Sequence, residues 1–331
     1  MAVIEVRDLR KRYGQRPALD GVSFQVEAGE IFGIVGPNGA GKTTAVECLA
    51  GLRQPDSGQI RVLGLDPQVD RTQIRQRVGV QLQETQLADQ IKVWEALDMY
   101  ASFYPKPRDW RELLAQWGLA DHRNARFSTL SGGQKQRLFI ALALVGDPEV
   151  AVLDELTTGL DPQARRATWE VVRQVRASGV TVVLVSHFMD EVERLCDRVA
   201  VFDGGRIVAT DTPAGLVATT ESEQQLRFRP MAPLDETMLA GLPGVRTVVR
   251  AGEQVVITGV GEFADAVTGA LAQQQVLVAN LRIDQPTLDD AYLALTGHPG
   301  RADLPAGRPE NEPTEPGGEP VARVETEGVN R

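Results

Sequence analysis

From Ala2 to about Val26 apolar and polar positions alternate, in AVIEVRDL and again in ALDGVSFQV, with the polar stretch RKRYGQRP between them. A period of two over such runs predicts antiparallel strands with one buried face. EIFGIVG (Glu30 to Gly36) is instead a continuous apolar run, the pattern of a strand buried on both faces, and it leads through a glycine-rich loop into the helical KTTAVECLAGL. From roughly 84 to 145 the period lengthens to that of helices, in VWEALDMYASFY, WRELLAQWG and GGQKQRLFIALALV. Two more buried strands follow, VAVLDE (Val150 to Glu155) and VTVVLVSH (Val180 to His187), with an amphipathic helix between them. That alternation predicts a parallel sheet. AVFDGGRIVAT then reads as a hairpin turning at Gly204 and Gly205.

After about 220 the texture changes. Strand, helix, strand, strand, helix, strand follow in QLRFRP, LDETMLAGL, VRTVVRA, EQVVITGV, EFADAVTGALAQQ and VLVANLRID, the ferredoxin-like order. The helix TLDDAYLALTG closes the series. Residues 298–331 hold six of the 19 prolines and four basic against seven acidic residues, with almost no large apolar side chain. That composition predicts disorder. The expected organisation is thus a large α/β domain over 1–219 with a helical part at about 84–145, an α+β accessory domain over 220–297, and a tail.

The formal net charge of -10 argues against a broad nucleic-acid footprint. Cys48 and Cys196 form neither a metal-ligand spacing nor a disulfide framework. The N-terminus lacks the apolar core of a signal peptide. The longest apolar run, LFIALALVG, is far shorter than the ~20 residues a spanning helix needs, so a membrane role is expected only through a partner.

Four motifs carry chemistry. Gly36-Pro37-Asn38-Gly39-Ala40-Gly41-Lys42-Thr43-Thr44 fits G-x-x-x-x-G-K-[ST] between a strand and a helix. There, backbone N–H groups and a helix N-terminus cradle phosphates, Lys42 bridges the β and γ phosphates, and Thr43 ligates Mg²⁺. Asp154 and Glu155 end an apolar strand. With a phosphate loop upstream they suit a Mg²⁺ ligand and a base for the attacking water, whereas a lone acidic pair would be a solvated strand end. His187 ends the neighbouring strand, where either a structural histidine or a γ-phosphate contact fits. Ser131, Gly132 and Gly133 open a helix in LSGGQKQR, which serves equally as an anion-binding start or a serine N-cap.

In combination, GPNGAGKTT, LSGGQ with Gln134, the carboxylate strand, TTGLD ending at Asp161 and the histidine resemble the ATP-binding cassette of ABC transporters, from about Val3 to Ala218. The resemblance implies a P-loop NTPase fold: a RecA-like core with an antiparallel β subdomain and a helical signature subdomain. It implies an ATPase using ATP and Mg²⁺, with Tyr13 stacked on adenine and Gln83 touching Mg²⁺ and the attacking water. Asp161 and Ser131 to Gln134 belong to the nucleotide-binding set, and the signature completes the site of a second copy in a head-to-tail homodimer. Two departures stand out: Leu156 where the family commonly has proline, and Leu82-Gln83 where it commonly has P-Q. PTLDDAYLALTG resembles the ending of ATPases serving ABC-2 type exporters, the daunorubicin and doxorubicin resistance group among them. The implied protein works at the cytoplasmic face of the membrane with an integral permease and binds no nucleic acid. Part of IKVWEALDMYASFY either receives a permease helix or packs internally. Competing readings are a soluble ABC ATPase acting on nucleic acid or the ribosome, and an importer ATPase.

Overall fold

The computed structural model describes residues 1–83, 86–219 and 224–297. The proposed tail at 298–331 lies outside them. In chain order the first elements are β1 (Ala2–Tyr13), β2 (Arg16–Glu27), β3 (Ile31–Val35), α1 (Lys42–Leu49), β4 (Ser57–Val62), α2 (Arg71–Arg77) and β5 (Val78–Gln81). Helices α3 (Val93–Ala101), α4 (Trp110–Gln116) and α5 (Gly132–Leu144) follow. Next come β6 (Val150–Asp154), α6 (Pro162–Ala177), β7 (Thr181–Val185), α7 (Met189–Leu195), β8 (Arg198–Asp203), β9 (Arg206–Asp211) and α8 (Pro213–Thr219). The remainder is β10 (Gln224–Pro230), α9 (Glu236–Ala240), β11 (Val245–Ala251), β12 (Gln254–Gly259), α10 (Phe263–Gln273), β13 (Val278–Asp284) and α11 (Leu288–Thr296).

Three sheets form among the described residues. The central one runs β5-β6-β7-β3-β8-β9, parallel except for the β8–β9 hairpin. Alternation within its strands explains their continuous apolar runs. Phe32, Ile34, Val152, Val183, Val185 and Phe202 face one core, shared with β1, β2, β4 and α1. Ile31, Val35, Leu153, Val182, Leu184 and Val201 face the other, under the helices. Each fully buried side chain of this size contributes about 1.5–3 kcal/mol relative to exposure. Both faces being covered, every position of β3, β6 and β7 is apolar or buried.

The antiparallel sheet β2-β1-β4 packs against the first core. Its strands run further than the alternation suggested, through RKRY to a tight turn at Gly14, because backbone pairing continues from Lys11↔Leu19 to Tyr13↔Arg16. The third strand, SGQIRV, escaped the pattern: only Ile60 and Val62 of its six residues are buried.

The accessory sheet has order β11-β12-β10-β13, all antiparallel, with α9 and α10 closing its own core of Leu226, Phe228, Val255, Ile257 and Phe263. This is the ferredoxin-like topology. The last helix goes elsewhere. In α11, capped by Thr287 in a reciprocal pair with Asp290, Leu288 and Tyr292 are buried in the helix-side core of the central sheet, beside α7, α8 and β9.

Candidate functional site

The registers of the central sheet bring four carboxyl ends to one edge: Gln81 pairs with Leu153, Asp154 with Val185, and Ile34 with Val185. Ligands bind at this edge in open α/β sheets. After β3 the loop from Gly36 to Gly41 wraps toward the first turn of α1. Gly41 has φ 101, and a Cβ there would come within 2.1 Å of the Ala18 carbonyl oxygen, so only glycine fits. A Cβ on Gly36 would meet the Phe202 carbonyl at 2.3 Å. The loop is therefore backbone against backbone, with Ala40 donating from its N–H to the Pro37 carbonyl at 3.2 Å.

Lys42 is 5% exposed, and its Nζ donates to the carbonyls of Gly36 at 2.7 Å and Pro37 at 3.0 Å. Burial lowers its pKa, while Glu155 and Asp154 oppose that. A cleft of about 520 Å³ opens in front, lined by Tyr13, Arg16, Asn38, Gly39, Lys42, Thr43, Thr44, Gln83 and Glu155 among others. The guanidinium of Arg53 lies 5.2 Å from the centre of the Tyr13 ring, a cation–π contact that steadies the aromatic wall.

Glu155 is the first residue after β6, not its last, and it takes φ 50, which is unusual for a residue with a side chain. Such backbone costs on the order of 1–3 kcal/mol and concentrates at functional sites. Its N–H donates to the Val185 carbonyl at 2.9 Å, which ties the turn to β7. Its carboxylate accepts from Gln83 Nε2 at 2.8 Å and stands 3.2 Å from His187 Nδ1. Gln81 is instead buried, donating to the Leu82 carbonyl. Side chains from three strand ends thus come together, with Gln83 and His187 both at the Glu155 carboxylate. Leu156 is fully buried in the helix-side core, which anchors the chain just after Glu155.

Asp154 is buried, and neither carboxylate oxygen has a hydrogen-bond partner. Burial, then the Glu155 charge, pushes its pKa up to about 6 against the lowering effect of Lys42. Its unfolded value is near 3.9, so the native state holds the extra proton between the two values. Stability from this group is therefore present at low pH and lost as pH rises through about 6. Asp154→Asn is expected to raise the Tm of the nucleotide-free chain by about 2–4 °C at pH 8, with the gain shrinking below pH ~6. Equal melting of the two proteins at pH 8 would show that the carboxylate carries no such cost.

Ser131 caps α5, accepting from the Gln134 N–H at 3.3 Å while its own N–H donates to Gln134 Oε1 at 2.8 Å. A Cβ on Gly132 would meet Leu160 at 3.2 Å, and one on Gly133 would meet Ala164 at 3.1 Å. The signature thus nestles on the start of α6, which Asp161 caps by accepting from the N–H groups of Gln163 and Ala164, each at 2.9 Å. None of Ser131, Gly132, Gly133, Gln134 or Asp161 lines the phosphate-loop cleft of the same chain.

A parallel sheet with a glycine loop, a buried lysine and strand-end carboxylates defines a P-loop nucleotide hydrolase. Residues 19–158 match the family model described as ABC transporter. The chain is 36% identical over 315 residues to the Nod factor export ATP-binding protein I of Ralstonia nicotianae, covering 89% of this chain and 94% of that one. It is 38% identical over 304 residues to its namesake from Rhizobium etli, covering 90% and 94%. A solved ATP-binding subunit of an ABC transporter superposes with TM-score 0.60 at 28% identity, covering 65% of this chain and 92% of that one. The chain belongs to the ATP-binding subunits of ABC transporters, and it is an ATPase.

Sequence reasoning missed Glu191. In SHFMDEVERL it reads as a solvated first-turn acid beside Asp190, yet it is fully buried. Nothing in local composition separates the two.

Proposed function

We propose that the chain is the motor of an exporter: two copies close head to tail around two ATP molecules and drive a separate ABC-2 type permease at the cytoplasmic face of the membrane. The observation that carries this reading is the convergence of Gln83, Glu155 and His187 beside the phosphate-loop cleft. Support for export comes from relatives named for Nod factor export that match along nearly the whole chain. PTLDDAYLALTG, with its resemblance to drug-exporter ATPases, points to a lipophilic, drug-like cargo.

In the proposed cycle the loop amides and Lys42 hold the phosphates and Tyr13 takes the adenine. Glu155 orients and deprotonates the attacking water, and His187 and Gln83 contact the γ-phosphate side. The oxygen set suits Mg²⁺: a hard cation takes oxygen ligands, and the unpartnered Asp154 carboxylate with the Thr43 hydroxyl, alongside Gln83, would hold it next to the phosphates. Bound there, the ion would neutralise charge developing on the transferred phosphoryl group. Ser131, Gly132, Gly133 and Gln134 would close on the ATP of the other copy, with Asp161 at the shared boundary. ATP then favours the closed pair and hydrolysis releases it.

A groove of about 580 Å³ is the proposed permease seat, with Leu52, Ile74, Val78, Val80, Phe103 and Tyr104 in its walls. Leu52 is 54% and Phe103 67% exposed, whereas Val93, Ala96, Leu97 and Ala101 of α3 are buried internally. Val78 and Val80 belong to β5, which ends two residues before Gln83, so a helix pressing on this groove bears on the hydrolytic carboxylate. The test is co-purification with the multi-span protein of the adjacent reading frame. Phe103→Asp is expected to reduce recovery of the complex by at least ~10-fold, the scale of losing one buried aromatic anchor, with ATP binding by the isolated chain retained. Full recovery of the complex with Phe103→Asp would remove the groove from this role.

A further inference from the structure

Glu191 lies in the first turn of α7, 0% exposed, in the apolar layer between α6, α7 and β7. Its Oε1 accepts from Trp169 Nε1 of α6 at 3.0 Å. Its Oε2 accepts from the Ser186 hydroxyl at 2.5 Å. Ser186 Oγ also accepts from the N–H of Phe188 at 3.1 Å, so the hydroxyl uses its one proton on Glu191 and a lone pair on Phe188. The two residues flanking His187 are thereby fastened to the same carboxylate. The Ser186 N–H is fastened in turn to the Ile34 carbonyl of the phosphate-loop strand at 3.2 Å. Burial raises the Glu191 pKa, against lowering by Ser186, Trp169 and Thr157.

A buried carboxylate is a poor source of stability, since apolar side chains of similar volume often do as well or better. What it supplies here is direction. We propose that Glu191 is a positioning residue for ATP hydrolysis: through Ser186 it sets the backbone that carries His187. His187 stands 3.2 Å from Glu155, so a small swing of the Ser186 to Phe188 segment changes that contact directly. Trp169 holds the other oxygen from the α6 side and has no bond to the His187 segment.

The inference rests on His187 and Glu155 acting in hydrolysis, and its test separates the two ideas. Steady-state hydrolysis and ATP binding are measured on the full chain for Glu191→Ala, Glu191→Gln, Ser186→Ala, Trp169→Phe and the Glu191→Ala/Ser186→Ala double variant. Misplacement of a catalytic group by about 1 Å costs on the order of 10²-fold, so Glu191→Ala is expected to lower kcat by ~10–100-fold with ATP affinity within about threefold of the parent. Ser186→Ala should reproduce most of that loss, and the double variant should fall no further, since coupled sites are non-additive. Glu191→Gln, which keeps an acceptor for Ser186, should recover most turnover, and Trp169→Phe should stay within about threefold of the parent. Parental turnover in Glu191→Ala overturns the proposal. So does a Trp169→Phe loss equal to that of Ser186→Ala, which would mark general loosening of the layer. If Glu191→Ala does not fold, the contrast between Ser186→Ala and Trp169→Phe decides alone. Loss in the Glu191 and Ser186 variants alongside an unaffected His187→Ala would place the fault in the hydrolytic assignment instead.

Discussion

Glu155→Gln is expected to lower ATP turnover by ~10²–10⁴-fold, the usual scale of general-base catalysis, while leaving ATP binding within a few-fold of the parent. The amide is nearly isosteric and still accepts from Gln83 Nε2, so the cleft keeps its shape. It cannot take a proton. Glu155 owes its aim to a left-handed backbone turn stapled to β7 through the Val185 carbonyl, an arrangement a solvated strand end has no reason to maintain. Single-turnover hydrolysis beside equilibrium nucleotide binding separates the two effects. Unchanged turnover in the purified transporter would strip Glu155 of the role, and loss of binding would mean that the variant had disturbed the phosphate loop.

The second large effect is expected from Ser131→Arg, which should abolish ATP-driven pairing of chains while each chain still binds nucleotide. Ser131 and Gly132 are exposed and contribute nothing to their own chain's cleft. A helix start rich in bare N–H groups is an anion site in search of a phosphate, and the proposed two-fold pairing would bring it to the other chain's nucleotide. Arginine would fill that approach and also remove a cap worth about 0.5–2 kcal/mol. Ser131→Asn is the control, keeping the cap without the bulk. Sedimentation with ATP under non-hydrolysing conditions reads the outcome. Normal dimers from the arginine variant would refute the shared site, and equal failure of both variants would blame the cap.

Much of this molecule was legible because its chemistry is local. A phosphate loop needs a buried strand, consecutive glycines and a helix in immediate succession, and all of that fits between Ile31 and Leu49. The ferredoxin-like order was legible because its strands are short and set apart by turns and helices, whereas the pairing of β10 with β12 and β13, distant in sequence, was not. The weak strand β4 was not legible either, since its apolar face is only Ile60 and Val62 and the rest of its contribution is backbone pairing with β1. Glu191 is the sharper lesson. It sits between Asp190 and Val192 in sequence, its neighbours in space are Trp169 and Ser186, and only tertiary packing distinguishes it from Asp190, which stays at the surface. The meeting of Gln83, Glu155 and His187 was foreseeable as a family property. Its physical cause is the strand order β5-β6-β7, which no short-range pattern encodes.

The destination of α11 bears on how the chain is made. Leu288 and Tyr292 complete an apolar layer whose other members lie as far back as Ile31. A ribosome delivers these partners in order, so the nucleotide-binding part waits, with the places of Leu288 and Tyr292 in its layer unfilled, while the entire accessory sheet is synthesised and free to collapse on its own core. The small module therefore has the opportunity to mature first, and the large one is sealed last by a segment that arrives from beyond it.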